Sequence, residues 1–153
     1  MQIPYTGKAK RALDIAARMS RAMHHNYIGT EHILLGLLKE NTGVAAQVLK
    51  LIEELIAPGQ SAAILEPEGY SPRVERVLAG ANKEAERFRS ELIGTEHILL
   101  AIIKEPECVA ARLLNTLSVN IQKMYVDTLL AMGEDANLYK EDFQNGRPGR
   151  KKN

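Results

Sequence analysis

Gly29-Thr30-Glu31-His32-Ile33-Leu34-Leu35 recurs 65 residues later as Gly94-Thr95-Glu96-His97-Ile98-Leu99-Leu100. The match extends in both directions without a gap. Lys39-Glu40 falls on Lys104-Glu105 and Val44-Ala45-Ala46 on Val109-Ala110-Ala111, so that 12 of the 18 positions in 29–46 are identical in 94–111. Upstream, Tyr5-Thr6 meets Tyr70-Ser71, Leu13 meets Leu78 and Ala16 meets Ala81. A gapless agreement of this length marks a duplicated motif. Its period exceeds the 20–50 residues of solenoid arrays, which predicts two sub-domains packed face to face.

Each copy reads as a set of helices. Thr6 and Ser71 are residues that accept hydrogen bonds from the free amides of a first turn, and Pro72 adds a second start signal in copy two. Ala9, Leu13, Ala16, Ala17 and Met23 then recur at helical spacing. A second helix is predicted from Thr30 and from Thr95, each after a glycine suited to a bend. Its apolar face holds Ile33, Leu34, Leu37 and Leu38, or Ile98, Leu99, Ile102 and Ile103. A third short helix covers Val44 to Leu49 and Val109 to Leu114. The fourth differs between copies. Asn120 caps a helix through Met132 closed by Gly133, whereas copy one has only Leu51 to Ala57 before Pro58-Gly59. Counted from Lys50 to Gly59 and from Asn115 to Gly133, the stretches are 10 and 19 residues. The predicted organisation is a first repeat over 1–57, a linker over 58–70 rich in chain breakers, a second repeat over 71–133, and a flexible tail or linker over 134–153. The expected fold is all-α and without a sheet: two pseudo-symmetric four-helix repeats forming one domain.

The composition of the 153 residues excludes several classes. Twenty basic and nineteen acidic side chains leave a net charge of +1, no electrostatic basis for holding nucleic acid or an anionic membrane. No apolar run approaches the ~20 residues that span a bilayer. The single cysteine, Cys108, cannot form an internal disulfide and aligns with Gly43 in copy one, which points to a reducing, cytoplasmic setting. Gly7-Lys8 lacks the upstream glycine and the following Ser or Thr of a phosphate loop, so no nucleotide cofactor is expected. No nucleophile-elbow motif, His-x-x-x-His or Cys-x-x-Cys pair supplies catalytic residues or a metal site. His32 and His97 each follow a glutamate, about 100° around the helix from it, and read as structural.

The paired Gly-Thr-Glu-His-Ile-Leu-Leu segments resemble the hallmark of the Clp N-terminal repeat, over roughly residues 3–133 and most closely in the form found in ClpC-type AAA+ unfoldases. That resemblance implies a non-catalytic domain perched on a hexameric ATP-driven unfoldase that feeds proteins to the ClpP protease. It implies protein partners: substrates carrying phosphorylated arginine, and an adaptor such as MecA. It also implies that Glu31 and Glu96 hold the guanidinium part of phosphoarginine, where a helix-end carboxylate would otherwise only complement the helix dipole. Thr6 and Lys8 are expected to act with Glu31, and Ser71 and Arg73 with Glu96, as donors and cations for the phosphate. The short fourth helix of copy one departs from the family pattern, so an adaptor that grips the surface near 51–66 is expected to dock differently here. The basic run Arg147 to Asn153 reads as a solvated tail or as the start of a linker toward ATPase rings. The alternative is a stand-alone interaction scaffold that uses the repeat without recognising phosphoarginine.

Overall fold

The computed structural model describes residues 2–40, 42–43, 45, 69–116, 118–144 and 147–148. Apart from Ala45, the expected third and fourth helices of copy one lie outside them, as does most of the 58–70 linker. Seven helices run through the described residues: α1 (Gly7–Ala22), α2 (Thr30–Glu40), α3 (Pro72–Arg87), α4 (Thr95–Ile103), α5 (Val109–Thr116), α6 (Ile121–Ala131) and α7 (Leu138–Asp142). The fold is all-α apart from two strands of two residues each, β1 (Phe143–Gln144) and β2 (Arg147–Pro148), paired antiparallel. That small hairpin corrects the expectation of no sheet.

The copies are built alike. The Thr6 hydroxyl accepts from the Ala9 amide at 3.0 Å and the Ser71 hydroxyl from the Val74 amide at 3.2 Å, opening α1 and α3 with the same cap. Both helices close on a residue in the left-handed region, His24 at φ 62° and Arg89 at φ 56°. The next amides, of His25 and Ser90, return to the carbonyls of Ser20 and Ala85. α1 lies along α2, and α3 along α4. Gly36 makes the first crossing close, because a Cβ there would run into the Ala12 carbonyl and lie 3.1 Å from the Ala16 nitrogen. Copy two reverses the arrangement, with Ala101 on α4 facing Gly80 on α3.

The apolar faces read from sequence meet in one core that includes Leu13, Ile33, Leu34, Leu37, Val77, Ile98, Leu99, Ile102, Leu114 and Leu129. Each such side chain contributes about 1.5–3 kcal/mol of burial. The two copies join through backbone as well. The amide of Thr6 donates to the Ile93 carbonyl at 2.8 Å and that of Ile93 to Pro4 at 2.7 Å, while Ile28 and Ser71 form the matching pair in the other direction.

Residues 134–143, expected as a flexible tail, instead continue the second repeat. Phe143 is buried in an aromatic cluster with Tyr125 and Tyr139. Asp142 is held by both terminal guanidinium nitrogens of Arg87 at 2.9 Å and by the Tyr125 hydroxyl, with Lys104 joining Glu84 at 3.0 Å alongside. Burial works against the Asp142 charge, but the Arg87 and Tyr125 bonds outweigh it and hold its carboxyl below the usual range. The polar sequence of this stretch gave no hint that its few aromatics were core residues.

Candidate functional site

Every residue of the repeated Gly-Thr-Glu-His has a separate task at the start of α2 or α4. Gly94 is the N-cap of α4. The Gly29 amide donates to Nδ1 of His32 at 2.8 Å and the Gly94 amide to Nδ1 of His97 at 2.9 Å, so the histidine at the third helical position closes the cap from the other side. An accepting Nδ1 places the proton of a neutral imidazole on Nε2. In copy one that Nε2 lies 2.6 Å from Nδ1 of His25, which receives the bond. Burial, with His25 adding to it, pushes His32 down to about 4 against the opposing charge of Glu31. Burial also lowers His97, against Glu96 and Glu84. Both histidines are therefore uncharged caps, which gives their structural role a mechanism that spacing alone did not supply.

The threonines act across the copies. Thr30 Oγ1 accepts from the Ala110 amide at 3.0 Å, in the first turn of α5 in copy two. Thr95 Oγ1 faces the Ala45 amide at 3.4 Å in the reciprocal arrangement. Sequence reading gave Thr30 and Thr95 only the start of their own helices; Thr30 also caps α5 of the other copy. Cys108 sits buried beside this contact, its thiol pushed up by burial and its sulfur facing the Ala111 amide.

The glutamates fold back over the glycines. A Cβ at Gly29 would overlap Glu31 Oε1, and one at Gly94 would overlap Glu96 Oε1, so glycine is what lets each carboxylate lie against the helix start. Sequence reading gave these glycines only a bend to make. Glu31 Oε1 is buried without a hydrogen-bond partner, and its Oε2 accepts from the Tyr27 hydroxyl at 3.2 Å. Tyr27 was not singled out from sequence, where nothing distinguishes it from Leu92 at the matching place. Its ring stacks on His25 at 5.9 Å and meets His32 edge-on at 5.7 Å.

The parallel bridges form two edges, at each of which a helix start expected to bind lies beside the segment leading to the other copy's glutamate. Ser71 is bonded to the Ile28 carbonyl, which puts the start of α3, with Arg73, beside the segment leading to Glu31. Thr6 is bonded to Ile93, which puts the start of α1, with Lys8, beside the segment leading to Glu96. The expected sets of Glu31 with Thr6 and Lys8, and Glu96 with Ser71 and Arg73, are thus corrected: each edge draws on both copies. The reason is the parallel backbone bridges, a non-local feature that the sequence does not display. The cations are also engaged. Lys8 Nζ donates to the Thr42 carbonyl at 3.1 Å, and Arg73 lies 3.8 Å from Glu105.

Among the described residues no group of three or more His, Cys, Asp or Glu side chains is placed to hold a metal ion. None of their helices is long and apolar enough to cross a membrane.

Comparison with known proteins gives a consistent picture. Residues 2–54 and 69–145 match the family model described as Clp repeat (R) N-terminal domain. The negative regulator of genetic competence ClpC/MecB of Bacillus subtilis is 38% identical over 142 residues, covering 86% of this chain and 17% of that protein. The chain thus spans about a sixth of the length of such relatives. The N-terminal domain of the chaperone ClpD from Arabidopsis thaliana superposes with a TM-score of 0.65 at 20% identity, over 84% of this chain and 94% of that one. A ClpV N-domain in complex with a VipB peptide also gives 0.65 at 20% identity, over 84% of this chain and 85% of its own. These two likenesses concern the fold.

Proposed function

Since the chain belongs to the Clp N-terminal repeat family, we propose that it is a recognition module that receives proteins for a ClpC-like ATP-dependent unfoldase, and not a catalyst. In this reading it takes up proteins marked by phosphoarginine and docks a MecA-like adaptor, for delivery to the ClpP protease through the ATPase rings. A ClpV N-domain of the same fold holding a peptide is consistent with a peptide-receiving surface.

The observation that carries the reading is the pairing at each edge of a glycine-seated glutamate with the opening turn of a helix from the other copy. Phosphoarginine carries a donor-rich guanidino group and an anionic phosphate. A carboxylate accepts paired N–H bonds from the first, and the amides and positive end of a helix N-terminus suit the second. Plain arginine forfeits the phosphate bonds, and phosphoserine sets an anion against the carboxylate.

Calorimetric titration of the chain with free phosphoarginine tests this. Binding is expected for the parent, much weaker binding for arginine and phosphoserine, and none for Glu31→Ala combined with Glu96→Ala at unchanged helical content. A double variant that binds phosphoarginine like the parent reduces the glutamates to helix-end complements and overturns the proposal.

A further inference from the structure

We infer that the two edges are unequal ligand sites, the stronger being Glu96 with Thr6, Gly7 and Lys8, and the weaker Glu31 with Ser71 and Arg73. This rests on the phosphoarginine reading above and adds which site dominates and why. The duplication makes the difference legible, because each residue of one site has a counterpart 65 positions away in the other.

The carboxylates differ first. Glu31 has one oxygen buried against Gly29 and the other accepting from the Tyr27 hydroxyl at 3.2 Å. A guanidino group must therefore displace the phenol before it can make a paired contact. Tyr27 is braced for that position by its stacking on His25. At the Glu96 site the counterparts of Tyr27 and His25 are Leu92 and Ser90. Leucine offers no donor, and among the described residues no side chain donates to Glu96. Its carboxylate is ready for a ligand.

The phosphate side differs independently. With Thr6 as N-cap and the Ala9 amide bonded to its hydroxyl, the amides of Gly7 and Lys8 are the two open donors of the α1 first turn. In α3 the first position is Pro72, which has no N–H. With the Val74 amide bonded to Ser71, only the Arg73 amide is open. The cations point the same way. Lys8 donates to a carbonyl and has no carboxylate partner among the described residues, whereas Arg73 lies 3.8 Å from the carboxylate of Glu105. A hydrogen bond to a charged group is worth enough that either the lost amide or the competing phenol is expected to weaken the Glu31 site about tenfold.

Amide NMR of the 153-residue chain titrated with free phosphoarginine separates the sites, reading Gly29, Glu31 and Arg73 for one and Gly94, Glu96, Gly7 and Lys8 for the other. The Glu96 group is expected to saturate at a ligand concentration at least ~10-fold lower. Tyr27→Phe keeps the ring, removes the donor, and is expected to tighten the Glu31 site. Gly7→Pro recreates Pro72 in copy one. A Cβ at Gly7 meets nothing within 4 Å and proline suits the first helical position, so this variant is expected to fold and to weaken the Glu96 site alone. Equal midpoints in the parent, or a ratio unmoved by both variants, overturn the inequality while leaving the binding reading intact. Shifts in neither group overturn the binding reading and the inequality with it.

Discussion

A histidine that caps a helix through an unprotonated nitrogen makes the domain sensitive to acid in a defined range. His32 titrates at about 4 in the folded chain, pushed down chiefly by burial, and near 6.5 when unfolded. Between those values the unfolded chain binds more protons. The stability from the Gly29 cap is therefore fully present above pH ~6.5 and is lost as pH falls toward 4. His97 shifts in the same direction. The carboxyls of Glu40 and Asp142 are held below their ordinary values of 4.5 and 3.8 by their hydrogen-bond partners, so the stability they add is lost only as pH falls below those values, outside the comparison of pH 7.5 with pH 5. Glutamine retains an acceptor at the third helical position without titrating there. In urea unfolding at pH 7.5 and pH 5, the parent is expected to lose clearly more stability between the two than the variant carrying His32→Gln and His97→Gln. Equal losses would show that these caps do not carry the acid sensitivity.

At the scale of elements, the crossing of α1 and α2 depends on Gly36. Its missing Cβ is filled by the Ala12 carbonyl, a backbone group that cannot move aside as a side-chain end would. Gly36→Ala gains helix propensity of about 1 kcal/mol but forces the helices apart. Overpacking of this kind costs about 1–3 kcal/mol, so the variant is expected to melt lower than the parent. Ala101→Gly at the matching crossing, where Gly80 already leaves room, is expected to cost only about the propensity difference of 1 kcal/mol. A thermal melt in which Gly36→Ala is more stable than the parent would refute this packing account. The helices themselves were legible from sequence, since Thr6, Ser71, Pro72, Asn120 and Gly133 signal their ends locally and the apolar residues recur at helical spacing. The six site residues were legible only as types in a repeated pattern. Their grouping was not, because the bridges of Ile28 with Tyr70 and Tyr5 with Ile93 join residues 42 and 88 positions apart. Nor was the packing of α7, whose anchor is Arg87, 55 residues upstream of Asp142.

In the molecule as a whole, neither copy is complete without the other. The start of α1 is bonded to the segment before α4, and the start of α3 to the segment before α2. Thr30 caps α5 of the second copy, and Thr95 faces the Ala45 amide of the first. Two independently stable domains would unfold separately, with a defect in one leaving the other unmoved. Here each threonine hydroxyl is a buried acceptor belonging to one copy and serving the other, so a defect is shared. Thr30→Val keeps the shape and removes the acceptor, leaving the Ala110 amide unsatisfied at a cost of about 1–3 kcal/mol. The decisive measurement is amide hydrogen exchange under mildly destabilising urea, read separately for α1 and for α3. The parent is expected to expose both helices in one cooperative opening. In Thr30→Val, protection is expected to fall by the same free energy in α1, which carries no part of the α5 cap, as in α3. Loss confined to copy two, with α1 protected as in the parent, would mean that the repeats are separable domains, and the shared-edge sites would then have to form by docking of two folded units.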